Sequence, residues 1–214
     1  MAGPGTSGAE GNEVSAAEEE LLAREVFAAL GGVMVVGAAA ARGRVPFSAG
    51  AFSAARRGEL DRLLAIVQEL TGFGPETMAL FDELGWHLAD DAAPWLVMWS
   101  AAYHPLPTDA ENPAAFRRMV GMGADHQAVR FLHALVSAAL NGPQPMDRTA
   151  RLLAEALRVA CGLLPGTEPD LVFRIWRVAH LPTRLRPGPA SPAEYGTRLR
   201  ACAHALEAAL FQDG

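Results

Sequence analysis

Arginine side chains carry most of the chemical information in this sequence, because all 18 basic residues are arginine and none is lysine. The guanidinium group is a planar fork of donors that matches the oxygens of phosphates and carboxylates. Helices that present such groups on a rigid surface can contact the backbone of a nucleic acid. The candidate nucleic-acid-binding residues are Arg56, Arg57, Arg117, Arg118, Arg130, Arg174 and Arg177.

The charge of the chain is distributed unevenly, although the formal net charge is −6. Residues 1–115 contain six arginines and 16 acidic residues, whereas residues 116–186 contain ten arginines and five acidic residues. Residues 187–214 contain two arginines and three acidic residues. A surface that faces a negatively charged partner is therefore expected in the second half of the chain.

Simpler roles remain open for each of these arginines. An arginine pair at a helix end can interact with the terminal carbonyl groups of that helix. Any single arginine can also be solvated or paired with a carboxylate. Arg148, Arg151 and Arg158 are weaker candidates, because Glu155 lies among them and can pair within the same helix.

Histidine and cysteine offer little catalytic or metal-binding chemistry here. His126 and His133 are seven residues apart and could share a helix face, but no carboxylate follows at metal-ligand spacing. His104 precedes a proline and has no second ligand nearby, so a structural role is expected. No motif of a metalloprotease, serine hydrolase or cysteine-histidine enzyme occurs. The sequence predicts no enzyme, no catalytic residue, no metal and no cofactor.

Cysteine usage and hydropathy predict a soluble cytoplasmic protein. The two cysteines, Cys161 and Cys202, lie in apolar helical runs and are expected to be packed thiols in a reducing compartment. The most apolar run, residues 33–41, is far shorter than the roughly 20 residues that span a bilayer. Acidic residues 18–20 precede it where a secretory signal would carry positive charge.

Residues 112–178 are expected to position most of these arginines on four short helices. Asn112-Pro113 begins the first, Asp125 the second, Asp147 the third and residues 167–170 the fourth. The spacing on the second and third helices predicts buried positions at Val129, Leu132, Val136, Leu140, Leu153, Leu157, Cys161 and Leu164. The positions predicted to face outward are Arg130, Ser137, Arg148, Arg151, Glu155 and Arg158.

The remaining elements are also predicted to be helical. A capping box at Ser15 begins a helix with a core stripe of Leu21, Leu22, Val26 and Leu30, which Gly31-Gly32 could interrupt. The next run of residues 33–41 favours helix over strand. A helix or helix pair ends at Gly72, and Pro75 and Asp91 open further helices. The last helix follows Ser191-Pro192, with its apolar side at Tyr195, Leu199, Cys202, Leu206 and Leu210.

These elements predict an all-α protein of about nine helices, arranged as two small packed bundles. Residues 1–14 form a flexible tail, and residues 15–107 form an N-terminal helical part. Residues 108–184 form the arginine-bearing bundle, and residues 185–214 form a Pro-rich linker with a C-terminal helix.

The order of short motifs along residues 50–181 is more specific than any one of them. The motifs are AFSAARRG (51–58), WLVMWSAAYHPLP (95–107), AAFRRM (114–119), AVRFLHALVSAALNGPQPMD (128–147), RTARLLAEAL (148–157) and DLVFRIWRVAHL (170–181). In this order and spacing the chain resembles the CasB family, the small subunit of the type I-E CRISPR surveillance complex Cascade.

That resemblance implies a non-catalytic subunit of an RNA-guided antiviral ribonucleoprotein. Its partners would be the other Cascade subunits, the guide RNA and the opened strands of the target DNA, and it would self-associate within the complex. Base pairing by the guide would read the sequence, and this protein would contact only the backbones.

Two other functions remain open. A helical regulatory or assembly module could pack its apolar residues internally and use arginines to bind acidic proteins. An enzyme or carrier could hold a small apolar ligand between helices, which would require a pocket.

Overall fold

The computed structural model describes residues 16–42, 56–81, 124–180 and 192–211, and these residues form helices and short turns. In chain order the helices are α1 (Ala16–Arg42), α2 (Arg57–Thr71), α3 (residues 75–81), α4 (Ala124–Ala139), α5 (Met146–Leu163), α6 (Pro169–His180) and α7 (Pro192–Phe211). These ranges contain no strand, so the all-α class is confirmed for them. The total of about nine helices and the division into two bundles stay predictions. Predictions outside these ranges concern the tail at 1–14, the helix opened by Asp91, His104, the helix expected at 112–123, and the linker after residue 184.

Helix α4 lies at the centre of the described helices, where it packs against α1, α2, α5 and α6. Its predicted inner face is buried, with Leu132 and Val136 each 1% exposed. The expectation that Ser137 faces outward is wrong, because Ser137 is only 4% exposed. Its hydroxyl donates a 2.8 Å hydrogen bond to the His133 carbonyl oxygen, which satisfies the buried group. A helix covered by several neighbours has no wide solvent-facing side.

Helix α1 runs without interruption through the glycine pair and the apolar run, which confirms the helical assignment of residues 33–41. Its core residues include Val26 and Leu30, which are fully buried. Leu21 was expected beside them but is 53% exposed. Two positions that are five residues apart on an α-helix point in directions about 140° apart. Leu21 therefore cannot share the face of Val26. None of the described helices, α1 included, is long and apolar enough to cross a membrane.

Helices α2 and α5 run antiparallel and are joined by two ion pairs. Arg62 on α2 contacts Glu155 on α5 at 2.7 Å, and Glu69 on α2 contacts Arg148 on α5 at 2.7 Å. The two pairs are seven residues apart on each helix, which is about two turns. Gly72 ends α2 as predicted, with a left-handed φ of 68° and its N–H donating to the Gln68 carbonyl oxygen.

The turn between α4 and α5 packs on the C-terminal end of α2. The Gln144 side-chain amide donates a 3.2 Å hydrogen bond to the Glu69 carbonyl oxygen, and Pro143 lies against Gly72. Gly142 lies so close to α2 that a Cβ atom there would stand 1.9 Å from the Leu70 carbonyl oxygen. Only a residue without a side chain fits at this crossing.

Helices α5, α6 and α7 complete a single hydrophobic cluster with α1, α2 and α4. On α6 the inner face is Val172, Phe173 and Trp176, each no more than 1% exposed. The predicted inner stripes of α5 and α7 are confirmed, because all of their members are buried: Leu153, Leu157, Cys161, Leu164, Tyr195, Leu199, Cys202, Leu206 and Leu210.

The two cysteines are free and buried, as the sequence predicted. Burial raises the pKa of each thiol to about 12, and the charges of Asp125 and Glu168 act in the same direction on Cys161. We therefore expect neither native thiol to react readily with an aromatic disulfide reagent at about pH 8, since only the thiolate attacks.

The test measures the aromatic thiol that the reagent releases, with and without concentrated guanidinium chloride. Two protein thiols are expected to react only after unfolding. The unfolded thiols ionise near pH 8.5 and the folded ones near 12, so the free energy of unfolding should fall as pH rises between these values. Rapid stoichiometric labelling of the folded protein would contradict the prediction.

Candidate nucleic-acid interface

Five of the seven candidate arginines lie on described helices. They are Arg56 and Arg57 at the start of α2, Arg130 on α4, and Arg174 and Arg177 on α6. Arg117 and Arg118 lie outside the described residues.

The arginines at the start of α2 contact carboxylates one turn along the same helix. Arg56 Nη1 lies 3.2 Å from Glu59 Oε1, and Arg57 Nε lies 3.0 Å from Asp61 Oδ1. Both arginine side chains are more than 40% exposed. Exposed ion pairs of this kind stabilise a protein by only about 0–1 kcal/mol, so a stronger anion can replace the carboxylate.

Arg130 occupies a different environment, beside Glu25 where α4 packs against α1. Its side chain is half-buried, and burial lowers its pKa while the charge of Glu25 raises it. A partly desolvated guanidinium next to a carboxylate is suited to an internal contact. The structure thus separates Arg130 from the exposed arginines of α2 and α6.

The arginines of α6 lie next to the end of α7. Arg177 Nη1 lies 2.7 Å from Glu207 Oε1, and the Arg174 guanidinium carbon lies 5.9 Å from the centre of the Phe211 ring. Phe211 is 38% exposed, and its ring packs edge-to-face against Phe173 with ring centres 6.1 Å apart. We call Arg174, Arg177, Glu207 and Phe211 the α6–α7 corner. The corner faces outward because the opposite side of α6 is buried.

A third arginine approaches the end of α7 from the other side. Arg158 on α5 donates from Nη2 to the carbonyl oxygens of Ala209 and Leu210, at 3.0 and 3.5 Å. A cation at this position complements the negative end of the helix dipole. Glu155, which has arginines within reach on α5, pairs across to Arg62 on α2 instead.

A groove with a volume of about 830 Å³ lies between α2, α5 and α7, and the sequence did not predict it. Four arginines contribute to its walls: Arg56, Arg62, Arg151 and Arg158. Only one of them, Arg56, was selected from the sequence. The signal that could have indicated the groove is the run of small residues on α5 and α7, which leaves space between helices.

The described residues contain no group of three or more His, Cys, Asp or Glu side chains placed to bind a metal ion. His126 and His204 are exposed, and His133 is half-buried.

Comparisons of the chain with protein-family models, with curated proteins and with solved structures find no significant match.

Proposed function

We propose that this chain is a non-catalytic helical subunit of an RNA-guided antiviral ribonucleoprotein, of the kind that the CasB resemblance implies. Its surface arginines contact the backbones of the guide RNA and the opened target DNA. Its other partners are the remaining subunits of that complex and a second copy of itself, and it acts in the cytoplasm without a cofactor. The observation that supports this most directly is the α6–α7 corner.

The corner combines two types of side chain with which proteins bind single-stranded nucleic acids. Arg174 and Arg177 can each offer a fork of donors to a phosphate, because they are three residues apart on one face of α6. The exposed ring of Phe211 offers a surface on which a base can stack. Both are held in place by the buried side of α6, so little conformational entropy is lost on binding.

The carboxylate of Glu207 competes with a bound phosphate for Arg177 at the corner. Its carboxylate is 39% exposed and already pairs with Arg177, so a phosphate must compete with it. Such a surface binds a polyanion weakly, and the affinity falls as salt concentration rises. Arg117 and Arg118 remain part of this proposal as further backbone contacts.

Reversing the charge of the corner is expected to weaken binding to single-stranded DNA and RNA by about tenfold or more, since two phosphate contacts become repulsive. The double variant Arg174→Glu/Arg177→Glu is measured by fluorescence anisotropy with labelled oligonucleotides over a range of salt. The slope of log affinity against log salt should decrease by about 0.7 for each lost contact.

The matched control is Arg198→Glu/Arg200→Glu, which changes the net charge equally at two exposed positions in the N-terminal half of α7. Circular dichroism checks that both variants keep their helical content. Equal losses in the two variants would mean that general charge, and not the corner, determines binding. Absence of salt-dependent binding by the native chain would contradict the proposed function itself.

A second candidate function is a protein-binding module, which is favoured by an apolar stripe on the outer side of α6. Leu171 is 46%, Ile175 39% and Val178 78% exposed, and their spacing places them on one helix face. Exposed apolar side chains grouped in this way are typical of protein interfaces. A partner that co-purifies after nuclease treatment would favour this function over nucleic-acid binding.

A further inference from the structure

The groove between α2, α5 and α7 is open to solvent and has the volume of a small-molecule site. Its volume of about 830 Å³ falls within the range of roughly 300–1,000 Å³ in which such ligands are bound. It is distinct from the α6–α7 corner, since neither Arg174 nor Phe211 contributes to its lining.

The floor of the groove is apolar and formed by small side chains. On α5, Ala150 and Ala154 are buried and Val159 is half-buried. On α7 the lining residues are half-buried alanines, namely Ala205, Ala208 and Ala209. Val159 and the three alanines of α7 keep part of their apolar surface accessible to water, so an apolar ligand body that covers this surface gains free energy.

The walls of the groove are charged, and positive groups are in the majority. Four arginines face three carboxylates, which belong to Glu59, Asp147 and Glu155. Two of these carboxylates are already neutralised, because Glu59 pairs with Arg56 and Glu155 pairs with Arg62. The charges that remain along the wall therefore favour an anion of low charge.

Arg151 is the arginine best placed to receive that anion. It is exposed on the same face of α5 as Glu155 and Arg158, four and seven residues further along. Among the described residues it forms no ion pair or hydrogen bond with another side chain. Its donors can bind a carboxylate in the bidentate geometry that arginine prefers.

From the apolar floor and the cationic wall, we infer that this groove binds a small amphipathic anion, with the anionic group on Arg151 and the apolar body across the alanines of α5 and α7. The inference is independent of nucleic-acid binding at the corner. A ligand of this class explains why the groove combines charged walls with a floor that offers no hydrogen-bonding side chain.

The test uses octanoate as the probe and isothermal titration calorimetry of the full chain. Octanoate should bind to one saturable site at least about tenfold more tightly than octanol, which has the same chain length without the charge. Arg151→Gln should weaken octanoate binding by about tenfold and leave octanol binding unchanged. Ala208→Leu, which fills the groove from a half-buried position, should weaken both.

The control variant is Arg198→Gln, which removes a charge of α7 outside the groove and should bind octanoate like the native chain. Circular dichroism confirms that each variant is folded before titration. Equal binding of octanoate and octanol, or native affinity in both groove variants, would overturn the inference. Tripolyphosphate that binds as tightly as octanoate would overturn it as well, because the apolar floor would then play no part.

Discussion

Replacing Gly142 with alanine should lower the free energy of unfolding by about 3 kcal/mol or more, because the new methyl group has no space. The Cβ atom would stand 1.9 Å from the carbonyl oxygen of Leu70 and 3.2 Å from that of Ala139. Both neighbours are backbone atoms of packed helices, so no side chain can rotate away. The turn must move off α2, and the hydrogen bond from Gln144 to the Glu69 carbonyl oxygen is lost with it.

The measurement is urea unfolding followed by circular dichroism, and Gly162→Ala is the matched control. Gly162 lies near the end of α5, where a Cβ would meet nothing within 4 Å. Alanine there should stabilise the protein by up to about 1 kcal/mol through its better helix propensity. If the two alanine variants unfold at the same urea concentration, the close contact between the turn and α2 does not exist in solution.

Replacing Trp176 with alanine should lower the free energy of unfolding by about 3–5 kcal/mol, since a large cavity is left in the core. Trp176 is the largest fully buried side chain among the described residues, with 0% exposure. Its ring packs against Phe173 with centres 6.0 Å apart, on the side of α6 that faces α4. The loss would release α6, and with it the arginines of the corner.

Phenylalanine at the same position separates packing from hydrogen bonding. The indole Nε1 of Trp176 is buried and has no hydrogen-bond partner in the described structure. Trp176→Phe removes that unsatisfied donor, which offsets part of the lost volume. The free energy of unfolding in urea should therefore be much closer to that of the native protein than to that of Trp176→Ala. Similar destabilisation by both substitutions would mean that the indole nitrogen finds a partner in solution.

Helix positions and inner faces were largely predictable because they follow local rules. The stripe on α7 and the end of α2 at Gly72 depend on periodicity and on the left-handed preference of glycine, and both can be found in the sequence. Ser137 was misplaced because its burial depends on how many neighbours surround α4. That number is a tertiary property, which no spacing along one helix encodes.

The contacts of the candidate arginines also depend on tertiary structure and could not be predicted from helix periodicity. Periodicity correctly placed Arg174 and Arg177 on an outward face of α6, but it could not show that Glu207 would come from α7 to meet one of them. Arg151 was passed over because Glu155 is near it in sequence. In the fold Glu155 pairs with Arg62 instead, so Arg151 forms no ion pair with Glu155.

The two ion pairs between α2 and α5 also restrict how these helices can slide past each other. If α5 shifted by one turn in either direction, Arg62 would meet Arg151 or Arg158 in place of Glu155, because these arginines lie four residues before and three residues after it. Attraction would become repulsion in both cases. A slipped alignment is thus disfavoured on charge alone, which keeps the groove-lining alanines of α5 opposite those of α7.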